Sequence, residues 1–594
     1  MDILSCAALS LGEVQLADNL SGTKSNNPRL FQFAAILFLG QYLLLKFYRV
    51  FLFHRYFSPF RHLPGPKDNH FLFGQSINFL RSESPNDLYI QWMKQWPDAP
   101  VIRYLGFFNR EVLVVNSLDS YKNLVQTNCY AMVKPGWWRG VTREIVGDGI
   151  IVMEGDEHRT HRKMLSGVLS APSVKKLEPV VWEKAREVGR LFDSAIAAGP
   201  DGKTGVIPST DTFSKFTLDI MGRITLGFDM NHLGSAAEAY RQGKSENPPA
   251  SLPSSAHPPS PPPAKEEYTF HEAYMSLFGQ SNFGNFLLFV NAYFPVRWLP
   301  LEANRRYLRG TKWIHDTLLS LIRKRQEEVR RDAHAGRYEK QNSRDMLTFL
   351  VEETLPGGPA EGLKENHFLG HILQLMAGGV DTTANMIAWS SYVLAKNHDI
   401  QDKLQAEILD FLSRVPNPTY PDIDTLPYLN GFVKEMLRVY CPGKPPRHFS
   451  PSPLCYIIPP TNPRPATTIH RQARQPVVLD GVPLPKGTEI DAAFAMPLRN
   501  PRIWGADAHE VKPERWLRPL TAAQKSPYAF PCFSNGPRMC IGKNLAYLEM
   551  KVVLVEIVRQ YRFVRVVTEP TLHSPSLLLH GHGLEVCVER IGGV

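Results

Sequence analysis

The stretch FSNGPRMCIG, Phe533 to Gly542, crowds one thiol, Cys540, with two glycines, a proline and an arginine. An apolar-periodic run, KNLAYLEMKVVLVEIV, follows at once, so Cys540 stands at the start of an expected helix. A thiolate there gains from the helix dipole and from free N–H groups, which lower its pKa and hold it charged. Gly536 and Gly542 remove side chains where backbone would approach a flat ligand, and Arg538 supplies a nearby cation. A nucleophilic cysteine satisfies the same physics but needs a histidine base, and no local one is suggested. A structural cysteine has no need of the glycines.

Four other segments carry chemistry. In KEMLR, Glu435 and Arg438 lie three apart on one face of an expected helix, where an ion pair forms easily; Arg515 of KPERW is free to reach the same carboxylate. By itself such a pair is most often solvated surface. AGGVDTTANMIAW, Ala377 to Trp389, sits inside the longest helical pattern. Two adjacent mid-helix glycines cost about 1 kcal/mol each against alanine, so something must offset them. Gly378 and Gly379 are expected to open room on one face, with Asp381 and Thr382 placing an acid and an alcohol beside it. A kink with a capped threonine is the plainer alternative. In GDEHRTHRKML, His158 and Arg162 lie one helical turn apart and can face one anion, or form an ordinary basic surface. Finally, HRQAR places Arg471 in a short polar segment.

Taken together these motifs resemble the cytochrome P-450 family. The cysteine loop meets every specified position of Phe-x-x-Gly-x-Arg-x-Cys-x-Gly, at Phe533, Gly536, Arg538, Cys540 and Gly542. The resemblance makes Cys540 the axial ligand of haem b iron, with electron donation that favours O–O cleavage. It makes Glu435, Arg438 and Arg515 a bracing triad behind the haem, with Val511 where phenylalanine is usual. It makes Asp381 and Thr382 the pair that delivers protons during dioxygen activation. Arg162, His158 (where the family commonly has tryptophan) and Arg471 become haem-propionate residues. The implied fold is mainly α with a small β region. The implied activity is a microsomal-type, fungal-like haem-thiolate monooxygenase that inserts one oxygen atom from O2 into a lipophilic substrate. Its electrons would come from NADPH–cytochrome P-450 reductase, since the chain carries no flavin or nicotinamide module. Arg538, Lys543 and Lys551 are expected to present a basic docking face to that acidic partner. Trp137, Trp138, Met376, Ala377 and Leu577 to Leu579 are expected pocket residues, apolar enough to specify only a greasy ligand. Two alternatives stand beside this reading: a haem-thiolate isomerase or dehydratase that needs no O2, and a non-catalytic haem binder.

The elements that must position these residues are mostly helical. The periodicity predicts helices over Ser173 to Ala198, Arg305 to Arg331, Glu365 to Ala395 and Leu545 to Tyr561, with strands at Arg110 to Asn116 and Leu584 to Arg590. The chain has 594 residues, 43% hydrophobic and 21% charged, the composition of a folded protein. Its charge of +10 suits anionic lipid or an acidic protein. Nucleic acid is disfavoured, because no basic stripe is interleaved with aromatics. Seven scattered cysteines without a CxxC pair fit a reducing compartment and disfavour zinc sites.

After a leader, residues 1–29, the run from Leu30 to Phe53 is long enough to cross a bilayer. Lys46, Arg49, Arg55, Arg61 and Lys67 follow its core, which puts the catalytic domain in the cytosol by the positive-inside rule and fits a single-pass endoplasmic reticulum membrane anchor. A basic, proline-containing hinge (54–67) then leads to a catalytic domain over 68–594. Within that domain, the Pro/Ser-rich insert 246–265 has no means to bury a core, and 447–466 reads as an atypical extra loop. Phe286 to Leu301 reads as an interfacial patch or as core.

Overall fold

The computed structural model describes residues 2–21, 28–82, 86–243, 270–278, 282–291, 294–335, 345–358, 360–441, 468–572 and 581–592. Both inserts and Leu577 to Leu579 lie outside the described residues. Helices dominate the described residues, with a five-stranded sheet, a three-stranded sheet and two two-stranded ladders beside them.

The long helices form where the sequence repeats apolar residues at helical spacing. Glu365–Lys396 is continuous through both glycines and lies in the largest hydrophobic core, with Trp389 fully buried. Glu302–His334 extends the expected helix by three residues at each end, while Lys543–Val558 starts two residues before the expected helix and ends three residues short of its expected end. The segment expected as one helix from Ser173 is two, Ala171–Lys175 and Glu178–Ala197. Pro179 explains the break: it lacks an N–H and suits only a first turn, so a new helix starts around it. Tyr561, expected as the last residue of a helix, opens the strand Tyr561–Thr568 instead.

One sheet has the spatial order Val101–Leu105, Glu111–Val115, Glu489–Ala493, Thr468–Ala473, Met132–Val133. Only the pairing of Glu111–Val115 with Glu489–Ala493 is parallel. Its register sets Arg471 opposite Ile490 and Met132 opposite Ala473, which brings Arg471 beside the chain that leads to Lys134. A second sheet joins Thr204–Pro208, Glu585–Arg590 and Tyr561–Thr568, all antiparallel.

At the N-terminus, Gln32–Phe57 is long and apolar enough to cross a membrane, and none of its best window is buried. The leader before it is itself helical, Asp2–Ser21. It lies along the next helix, with the Ser10 hydroxyl donating to Gln41 Oε1 at 3.1 Å and Gln41 Nε2 donating to Glu13 at 2.6 Å. The hinge docks onto the first sheet rather than standing clear as a spacer. Arg103 N donates to Pro64 O at 2.8 Å, and a Cβ on Gly65 would fall 1.8 Å from Arg103 O, so only glycine fits there. The patch from Phe286 to Leu301 divides: Leu287 and Leu288 are buried, while Phe294 and Trp298 are exposed.

Candidate active site

The cysteine loop is held by backbone. Cys540 N donates to Phe533 O at 2.8 Å, closing the loop, and Ser534 and Gly536 both take positive φ. Gly536 has φ +71°, and a Cβ there would lie 2.3 Å from Val125 O, so this glycine is set by the turn and by the chain packed on it. Gly542 is looser, its hypothetical Cβ sitting 4.0 Å from the Cys540 sulfur. The Phe533 ring lies 5.3 Å from that of Tyr547, which anchors the loop on the helix Lys543–Val558.

Cys540 is a free thiol open at its surface. Its pKa departs from the expectation of a lowered value. Burial of the sulfur among protein atoms pushes it up, and this outweighs the N–H groups of Gly542 and Lys543 and the Arg162 cation, which pull it down. Helix-start stabilisation is present but insufficient by itself, so a metal bound to the sulfur is what would fix it as a thiolate.

Around this loop the protein gathers cations. Arg538 Nη2 pairs with Glu154, and its Nη1 donates to Met153 O at 3.2 Å; its Nε is buried without a hydrogen-bond partner. Lys134 Nζ reaches Glu154 Oε1 at 3.1 Å and Met153 O at 3.0 Å. Arg471 Nη1 donates to the carbonyl of His470 at 2.9 Å. Lys134 and Arg538 thus pair with one carboxylate, Glu154, and Arg471 lies in the same field without pairing with it. The electrostatics register the excess: burial, then Arg538 and Arg471, pushes Lys134 down to about 7. Burial and Arg538 push Arg471 down to about 10. His158 is buried with Nδ1 3.2 Å from the Tyr130 hydroxyl, and burial, followed by Arg538, Lys134 and Arg162, pushes it down to about 3. It is a neutral imidazole at physiological pH. Burial works to raise Glu154, but Lys134 and Arg538 hold it below the usual carboxylate range.

Lys134 and Glu154 were not singled out by the motifs. Lys134 precedes a proline and Glu154 is the N-cap of the helix Gly155–Ser166, yet its side chain turns from capping to the two cations. No local pattern marks either residue, because their meeting depends on the fold.

A haem carries two propionates. A nest of three cations with one internal carboxylate, beside an exposed cysteine thiol and a loop that needs glycine, has the donor set for that dianionic, flat group. The residues fit it.

In the long helix Glu365–Lys396 the two glycines part company. A Cβ on Gly378 would meet nothing within 4 Å, whereas one on Gly379 would fall 2.4 Å from the Met221 sulfur. Gly378 opens space and Gly379 admits a neighbouring helix. Thr382, one turn beyond Gly378 on the same face, donates its hydroxyl to Gly378 O at 2.7 Å. Asp381 points elsewhere: it is buried and accepts the Tyr274 hydroxyl at 2.9 Å. Burial and that carboxylate hold Tyr274 protonated. The structure therefore puts Thr382 at the open space and Asp381 behind it with a tyrosine that the motif did not include.

The triad residues come together fully buried. Arg438 donates to Glu435 through Nε at 2.8 Å and Nη2 at 2.7 Å, and Arg515 Nε approaches the same carboxylate at 3.3 Å. Lys512 N and Trp516 Nε1 donate to it at 3.0 and 2.9 Å. Arg438 also spans to the carbonyls of Leu498, Ala508 and Glu510, which ties four chain segments at one point.

The expected basic docking face is not formed as proposed. Arg538 is turned inward to Glu154, and Lys551 is buried against Asp424; of the three, only Lys543 is part-exposed. Charge counted along the sequence did not show that two of these cations are paired with carboxylates of the chain itself. Of the pocket residues, Trp137 packs with Val141, Ile145, Leu288 and Ala377 in a small apolar cluster. Met376 belongs to the main core, and Trp138 is half-buried.

Comparison with known proteins was made against this geometry. Residues 64–449 and 462–588 match the family described as Cytochrome P-450. The chain is 27% identical over 544 residues to cytochrome P-450 monooxygenase sphH of Aspergillus fumigatus, covering 89% of this chain and 88% of that protein. It is 26% identical over 556 residues to cytochrome P-450 monooxygenase FUM15 of Gibberella moniliformis, covering 86% and 83%. With cytochrome P-450 monooxygenase ALT8 of Alternaria alternata it shares 24% identity over 619 residues, covering 95% and 94%.

Proposed function

Because this chain belongs to the cytochrome P-450 family and is an oxidoreductase of the monooxygenase kind, we propose that it inserts one oxygen atom from O2 into a lipophilic intermediate of secondary metabolism. The observation that carries the reading is the cation nest beside Cys540: Lys134, Arg471 and Arg538 around a single Glu154. When bound, a thiolate-ligated haem supplies the reductive activation of dioxygen.

The protein's own residues do the rest. Cys540 provides the sulfur ligand, and the N–H groups of Gly542 and Lys543 aim at it, favouring its charged form. Arg471, Arg538, Lys134 and Arg162 supply the positive field for two propionates, with neutral His158 as a hydrogen-bonding neighbour. Thr382 holds its hydroxyl at the open face of the helix, where it would hold and pass on a proton; Asp381, hydrogen-bonded by Tyr274 behind that face, would be the acid that resupplies it. Trp137 and Ala377 give an apolar wall that suits a lipophilic substrate and excludes water. Electrons come from a separate NADPH-dependent reductase. The span Gln32–Phe57 anchors the chain in the endoplasmic reticulum membrane, with the cationic residues that follow it keeping the domain cytosolic.

The test is reconstitution with reductase and NADPH. Cys540→Ala is expected to abolish the red-shifted carbonyl spectrum of thiolate-ligated haem. Thr382→Ala is expected to keep that spectrum and NADPH consumption while product per NADPH falls and peroxide rises. A Cys540→Ala protein that retained the spectrum would move the ligand elsewhere. Undiminished product per NADPH in Thr382→Ala would remove the threonine from the proton route and favour the isomerase reading.

A further inference from the structure

The helices Gly155–Ser166 and Glu365–Lys396 face each other with four residues of metal-ligating type. Glu157 and His161 lie four apart on the first helix, and His367 and His371 four apart on the second, so each pair shares one helical face. One ligand atom each from Glu157, His161 and His367 lies within 4.8 Å of the others. His367 Nε2 stands 3.9 Å from Glu157 Oε1. The ring centroids of His161 and His367 are 5.6 Å apart, and those of His161 and His371 5.0 Å. Behind this trio, His371 is fully buried and its Nε2 lies 2.8 Å from His161 Nδ1. Its own Nδ1 is buried without a hydrogen-bond partner.

We propose that Glu157, His161 and His367 form a binding site for a Zn2+-class divalent cation, with His371 bracing His161 from behind. Two imidazoles and one carboxylate are an N2O donor set, which suits zinc and leaves a fourth position for water. A ligating histidine ordinarily engages its other ring nitrogen with a hydrogen-bonding partner, and the His161–His371 contact has that form. Cysteine counting disfavoured zinc in this chain, but it is silent about a site made of histidine and glutamate on two helices.

The other three-residue acidic group among the described residues shows the contrast. Glu183, Glu187 and Asp229 also converge, but buried Lys184 sits among them, 2.8 Å from Glu187 and 2.7 Å from Asp229, and Arg223 lies 3.4 Å from Asp229. Its charge is met by cations of the chain. Among the described residues, no such ammonium pairs with the histidine site.

The site would tie the helix bearing His158 and Arg162 to the helix bearing Thr382. The experiment is equilibrium dialysis and calorimetry of the tag-free, haem-loaded full chain in detergent, with Zn2+, Mg2+ and Ca2+ as separate probes. One equivalent of Zn2+ per chain is expected, with no comparable uptake of the two oxygen-preferring ions. The double variant His161→Ala, His367→Ala is expected to lose that equivalent. Glu157→Gln, at an exposed position, is expected to weaken it at least about tenfold, as is His371→Leu. The thiolate carbonyl spectrum checks that each variant is folded, and Glu157→Gln decides the matter where a histidine variant loses haem. No stoichiometric Zn2+ uptake by the parent chain overturns the proposal. So does an equivalent that survives in the double variant, or one that Glu157→Gln leaves at full affinity.

Discussion

Two clusters of buried charge, one behind the cysteine loop and one beside it, treat the same problem oppositely. Around Glu435 the account closes within the protein. Arg438, Arg515 and Lys512 meet Glu435, Asp507 and Glu510, and the remaining guanidinium hydrogens go to backbone carbonyls. Around Glu154 it does not close: Lys134 and Arg538 pair with one carboxylate, Arg471 lies in the same field, and burial together with the neighbouring cations lowers Lys134 and Arg471. A satisfied network fixes a fold, whereas an unsatisfied one specifies what must bind. Burial of like charges is costly, and a chain that folds with it is one whose ligand brings the missing anions.

The largest effect is expected where the closed cluster is opened. Glu435→Ala leaves Arg438 and Arg515 buried without their carboxylate, and breaking such a pair costs about 3–5 kcal/mol. The expected outcome is failure to accumulate haem-loaded protein, read as loss of the carbonyl spectrum. Normal yield and spectrum would show that the network is dispensable and would erase the distinction drawn here.

In the open cluster the expected damage is to the ligand and not to the chain. Arg471→Met removes one of three crowded cations, so the folded chain is relieved of repulsion while the propionates lose a partner. Haem transfer to a scavenging protein is expected to speed up at least about tenfold, equivalent to about 1.4 kcal/mol, while expression is kept. Unchanged haem retention would mean that Arg471 faces nothing anionic.

These two clusters also mark what the sequence could tell. Glu435 and Arg438 share a helical turn, and the cysteine loop packs its glycines, arginine and thiol into ten residues, so local spacing was enough. The long helices followed from their periodicity, and the one misjoined helix had Pro179 as an overlooked stop. The rest needed the fold. Lys134 and Glu154 are 20 residues apart, and Asp381 meets Tyr274 across 107. The direction of the Cys540 shift was missed because burial, a tertiary quantity, outweighs the helix start that sequence can see. The inward turn of Arg538 and Lys551 was hidden for the same reason.

Lys134 gives the comparison a pH axis. Its folded value, about 7, lies below the ordinary 10.5, so between these the unfolded chain holds a proton that the haem-free folded chain has lost. Folding without haem therefore gains stability as pH rises from about 7 to 10.5. Two propionates favour the charged ammonium, so haem binding in that window takes up a proton and weakens as pH rises. Haem release is expected to quicken between pH 7 and 9 in the parent, and Lys134→Met to flatten that slope. An equally steep slope in the variant would assign it to another group.

The smallest effect tests a third way of burying charge, which is to give it up. Glu549 lies fully buried on the helix after Cys540, and burial pushes it up to about 8, with the Thr383 hydroxyl pulling weakly the other way. Neither a cation, as at Glu435, nor a ligand, as at Lys134, is needed if the carboxyl keeps its proton. The sign follows from the raised value. Between about 4.5 and 8 the folded chain holds a proton that the unfolded chain has released, so stability from this group is lost as pH rises through that window. Glu549→Gln keeps the shape and removes the titration. The Tm of the haem-loaded variant is expected to gain on the parent by about 2 °C between pH 6 and pH 8, and the gap to stop widening above that. A gap that is constant with pH would mean that Glu549 titrates normally, and that burial alone does not keep this carboxyl neutral.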